Sequence, residues 1–86
     1  MTPPIHLLLC LAAAVRRGRE SAQHVGAGFL WSAWLDGENV WISAGITRFQ
    51  DRGHAHPVPI DRLDAEARDA ILDACGERLA RCAGAA

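Results

Sequence analysis

Two runs of alternating apolar residues, Phe29–Leu35 and Val40–Phe49, flank the tetrad Asp36-Gly37-Glu38-Asn39. An Asp-Gly step supplies the backbone freedom that a tight turn needs. Alternation at period two marks strands with one buried face. Together they commit the middle of the chain, residues 28–49, to an antiparallel hairpin. One face would carry Phe29, Trp31, Ala33, Leu35, Val40, Ile42, Ala44 and Ile46, and is the expected core face. The other would carry Leu30, Ser32, Trp34, Trp41, Ser43, Gly45 and Thr47, with Trp34 beside Trp41 across the strands.

Helix signals stand on either side. Thr2 suits an N-cap and Pro3 the first helical position, and Ile5–Arg17 is rich in Leu and Ala, so a helix is expected over 3–17. Gly18 offers its stop. Residues 18–27 hold Gly18 and Gly26 around a polar middle and read as a linker. His54–Ile60, with Pro57 and Pro59, reads as an extended segment over 54–60 with room for a short third edge strand. A last helix is expected over 61–82, capped by Asp61 or Asp64, with Leu63, Ala67, Ile71, Ala74, Cys75, Leu79 and Cys82 on its apolar side. The whole is one small α+β domain over 1–86. A small antiparallel sheet is packed by an N-terminal and a C-terminal helix, in the order α-β-β-(β)-α.

That order, with the third strand counted, resembles the topology of double-stranded RNA-binding domains. The resemblance implies phosphate contacts from a basic start of the last helix. Here that stretch is Asp61-Arg62-Leu63-Asp64-Ala65-Glu66, which would repel RNA, so only the topology carries over.

Composition narrows the function classes. Nine arginines, without lysine, face ten acids, for a net charge of −1. A general nucleic-acid binder or a polybasic membrane binder would show a basic excess. The apolar run Ile5–Val15 is followed, not preceded, by arginines, which is the reverse of a secretory signal. It is also shorter than the roughly 20 residues that span a bilayer. Cys10, Cys75 and Cys82 show no disulfide spacing; Cys75 and Cys82 would lie about 10 Å apart along a helix. Free thiols suit a reducing compartment, so a cytoplasmic chain without membrane contact is expected.

Catalytic patterns are missing: no G-x-S-x-G, P-loop, H-E-x-x-H or C-x-x-C occurs, and there is no Tyr. A core this small is not expected to leave room for a pocket of roughly 300 Å³. No enzyme and no cofactor is expected.

Four features could bind. Trp34 and Trp41, next to Asp36 and Glu38 at the hairpin tip, offer aromatic anchors for a protein partner; the alternative is a pair that stiffens the hairpin or lies under a helix. Glu66, Asp69, Asp73 and Glu77, at steps of three, four and four, line one side of the last helix. They could meet a basic, nucleic-acid-handling partner, or form an ordinary solvated face. Arg16, Arg17 and Arg19, with Arg48 and Arg52, could instead contact nucleic acid, although the first three also suit the end of a helix. His54 and His56 would share one side of an extended chain and could begin a metal site, but no further ligand has metal-site spacing.

The sequence thus favours a non-enzymatic protein-binding module. A regulator or an inhibitor is expected, of the kind that phages and mobile elements use, anti-CRISPR proteins among them. A nucleic-acid-contacting regulator and a small metal-binding module are the alternatives. The apolar first helix and the open sheet edges also allow a homodimer.

Overall fold

The computed structural model describes residues 3–26, 28–45 and 55–84, the last four by their backbone alone. Helix α1 (Ile5–Arg16) leads into a sheet of four strands, β1 (Ser21–Gly26), β2 (Phe29–Asp36), β3 (Asn39–Gly45) and β4 (His56–Pro59). A 3-10 turn (Ile60–Arg62) and the long helix α2 (Ala65–Gly84) follow. The sheet is antiparallel throughout, in the order β1-β2-β3-β4. The α+β class and the helix–sheet–helix order are as the sequence implies.

The main correction is the linker. Residues 18–27 contain β1, which pairs along its whole length with β2, from Ser21↔Trp34 to Gly26↔Phe29. Glycine makes both ends of this strand. Gly18 (φ 83°) turns the chain out of α1, and Gly28 (φ 80°) lies in the turn to β2. The third strand is real: β4 pairs with β3 from Asn39↔Pro59 to Ile42↔His56.

The hairpin closes on Gly37 and Glu38, with Asp36 opposite Asn39 and Gly37 at φ 60°. Its second strand ends at Gly45; the expected continuation to Phe49 lies outside the described residues.

The helix ends also shift. Pro4, extended at ψ 141°, takes the cap position of α1, so the helix begins two residues after Pro3 and without a side-chain cap. The expected last helix is divided: Ile60–Arg62 forms the 3-10 turn, and α2 starts directly after Asp64, whose carbonyl accepts from the Arg68 N–H at 2.8 Å.

Both helices pack on one face of the sheet, the expected core face. Leu7, Leu8, Leu11, Ala12 and Val15 of α1 and Ala67, Ile71 and Ala74 of α2 close over Trp31, Ala33, Val40 and Ile42, with Ile60 and Leu63 sealing the end below α2. Trp31 also donates from Nε1 to the Gly26 carbonyl at 3.2 Å, which satisfies its one polar atom at the core margin. Two expected core residues are not in it. Ala44 is exposed, and Leu79 is 71% exposed because α2 runs on past the sheet.

Among the described residues, no helix is long and apolar enough to cross a membrane.

Candidate functional site

Side chains alternate along a strand, so core packing on one face assigns the rest to the other. This outer face carries Trp34 and Trp41 as registered partners on β2 and β3, with Ser21 beside Trp34 on β1 and Pro57 beside Trp41 on β4. A row Ser21–Trp34–Trp41–Pro57 therefore crosses all four strands. Both indoles are half-buried, while Ser21 and Pro57 are exposed.

The next row along the hairpin is small. Ser32 and Ser43 face each other, are buried, and follow the tryptophans at the centre of the sheet. The Ser32 hydroxyl accepts from Gln23 Nε2 at 3.4 Å. The two indoles thus stand beside a pair of buried serines. At the other end Asp36, on the same face as Trp34, and the exposed Glu38 supply an acidic rim.

The acidic stripe lies elsewhere. Glu66, Asp69, Asp73 and Glu77 are all exposed on α2, on the helix side of the molecule, with the sheet between them and the tryptophans. The sequence left open whether these features form one site; the fold makes them two. The stripe is also partly neutralised. Arg16 Nε is 2.9 Å from Glu77 Oε2, and Arg68 Nε is 3.4 Å from Asp69 Oδ1. Glu66 and Asp73 have no arginine within ion-pair distance among the described residues.

Of the candidate arginines, the described ones, Arg16, Arg17 and Arg19, stand at the end of α1 and just beyond it. Arg16 engages Glu77, while Arg17 and Arg19 are exposed at the corner between α1 and β1. There Glu20, 3.8 Å from Arg78, adds a carboxylate. Arg48 and Arg52 lie outside the described residues.

Among the described residues, the candidate metal ligands are not brought together. His54 lies outside the described residues, and His56 is exposed on β4, opposite Ile42. Among the described residues no three His, Cys, Asp or Glu side chains come together. The imidazoles that do meet are His6 of α1 and His24 of β1, with ring centroids 5.8 Å apart. Sequence reasoning missed this pair because it treated β1 as linker.

It also missed a cleft. Between the hairpin tip, the 3-10 turn and α2 lies an open depression of about 580 Å³, lined by Glu38, Asn39, Asp61, Arg68, Leu72 and Cys75 among others. The expectation that the domain leaves no such space was wrong. The core is small, but the cleft forms outside it, where the hairpin tip reaches the start of α2. Among the described residues its lining includes the half-buried Cys75 thiol and no histidine.

No family model, no curated protein and no solved structure matches the chain.

Proposed function

We propose that this chain is a non-enzymatic protein-binding module whose anchor is the Trp34–Trp41 pair. The carrying observation is that the pair is registered across the central strands on the face that neither helix packs against. Tryptophan loses little rotamer entropy for the contact area it supplies, and buried indoles commonly dominate interface energies. The acidic rim at Asp36 and Glu38 favours a basic partner. A regulator or inhibitor that blocks a nucleic-acid-handling protein, as small phage and mobile-element inhibitors such as anti-CRISPR proteins do, fits this chemistry. The α2 acids are a separate and partly neutralised surface, and the reading does not depend on them.

Nuclease-treated co-purification of the whole chain from host lysate, beside Trp34→Ala/Trp41→Ala and Asp73→Arg variants with unchanged circular dichroism, tests this. One stoichiometric protein should be captured by the parent chain and by Asp73→Arg. The double Trp variant should lose it, since anchors of this type contribute at least about 2 kcal/mol each, or roughly 30-fold in affinity. Capture that survives the double substitution would overturn the assignment. Capture that disappears with nuclease would favour the arginine alternative.

A further inference from the structure

The two edges of the sheet differ in their hydrogen-bonding chemistry. The Leu35 N–H donates to the Glu20 carbonyl at 2.8 Å. Antiparallel partners alternate between bonded and non-bonded pairs, so Ala22, His24 and Gly26 bond inward to β2. Ser21, Gln23 and Val25 consequently turn their N–H and C=O groups outward from β1. All three residues are exposed, and Val25, at 75%, is the most exposed large hydrophobic residue among those described.

At the opposite edge the Ile60 N–H donates to the Glu38 carbonyl at 2.9 Å. By the same alternation Val58 and His56 bond inward, and the outward positions of β4 are Pro57 and Pro59. Neither has an N–H to offer. One edge is closed to further pairing by its prolines, and the other carries no proline, no charge and no bulge.

The flank of α1 above the open edge is uncharged too. His6 lies against His24 of β1, and one turn on comes the exposed Cys10, then Ala13; no charged residue occurs from Ile5 to Val15. A helix flank that faces water normally carries charge.

We propose that β1 is a homodimer interface, in which two copies pair antiparallel through this strand about a two-fold axis at Gln23. In that register Gln23 faces the partner's Gln23 and Ser21 faces the partner's Val25. Each of these pairs can exchange both main-chain hydrogen bonds. Glu20 falls at the far end opposite Gly26 of the partner, and Arg19 lies beyond it, so no like charges meet. A second copy is the occupant that the edges select. Pairing β1 with β1 consumes both open edges and leaves a sheet that ends in prolines on both sides, so growth stops at two.

The dimer also extends the outer face: Trp41, Trp34 and Ser21 run on into the partner's Val25 and Leu30. This assembly rests on the edge chemistry alone and holds whether or not the tryptophans bind a protein.

Sedimentation of the full chain over a concentration series, beside Gln23→Pro and Val25→Lys, reads the assembly. Proline at 23 removes an outward main-chain N–H, which copies the β4 device, together with the long side-chain bond from Gln23 to Ser32, and lysine at 25 is a charge at the edge that leaves that bond in place. The parent chain should be a dimer, and both variants monomers with unchanged circular dichroism. A parent chain that stays monomeric up to about 1 mM would overturn the proposal. So would a dimer that survives both substitutions, or an assembly that continues past two copies. Amide exchange of the parent chain gives a second reading that needs no variant. The Ser21, Gln23 and Val25 amides should gain protection as concentration rises, while Ala22 and His24 stay protected throughout. Fast exchange at 21, 23 and 25 at every concentration would overturn it equally.

Discussion

The guanidinium of Arg16 lies 2.9 Å from the carboxylate of Glu77, and this ion pair ties the last turn of α1 to the far half of α2. It spans 61 residues of sequence, so no local pattern announces it. It also draws one of the proposed nucleic-acid arginines and one of the acidic-stripe residues into a contact between the helices. Both side chains are about half exposed, which limits the gain.

A double-mutant cycle on Arg16→Ala and Glu77→Ala should therefore give a coupling of about 0.2–1 kcal/mol that shrinks as salt is raised. Urea denaturation of the four proteins at low and high ionic strength measures it. A coupling of several kcal/mol, insensitive to salt, would mean that the pair is far better shielded than its exposure implies.

The stability of the fold should rest instead on the layer between the helices and the sheet. Leu11 and Ile71 are fully buried, one on each helix. Truncating either to Ala should cost about 2–5 kcal/mol, through lost burial and the cavity left behind. Total stabilities run at about 5–15 kcal/mol, so each variant should approach the limit of folding. In urea the midpoint should fall sharply with little change in slope, because the surface exposed on unfolding is nearly unchanged. A midpoint shift worth less than about 1 kcal/mol at both sites would contradict this packing.

How much of this was legible follows from where each signal lies. The β2–β3 hairpin was readable because its pattern is local: Asp36-Gly37 makes the turn, and alternation assigns Trp31 and Trp34 to opposite faces. β1 was not. Its inward positions are Ala22, His24 and Gly26, and none is a strong apolar residue. As an edge strand it gains its order from backbone bonds to β2 and from cover by α1, both of which are tertiary. Of the candidate site, the Trp34–Trp41 pairing could be read, since it needs only the hairpin register. So could the side taken by the helices, which is the apolar face that alternation marks as core. The cleft lined by Glu38, Leu72 and Cys75 could not, because it depends on where the hairpin tip meets α2, which is tertiary.

Two glycines should respond to alanine in opposite directions. Gly37 holds φ 60° in the hairpin turn, where a Cβ finds open space but the backbone itself is unfavourable for an L-residue. Gly37→Ala should destabilise by about 1–2 kcal/mol, and Gly37→Asn by less, because Asn visits this region more readily. Gly76 lies inside α2, exposed, with nothing within 4 Å of an added Cβ. Gly76→Ala should stabilise by roughly 0.5–1 kcal/mol, because glycine in a helix interior loses more backbone entropy on folding than alanine does. At this chain length 1 kcal/mol moves the thermal midpoint by about 4–8 °C, so both effects are within reach of a melting curve. A rise with Gly37→Ala would refute the left-handed turn. A fall with Gly76→Ala would show that the middle of α2 meets something that the open space around Gly76 does not reveal.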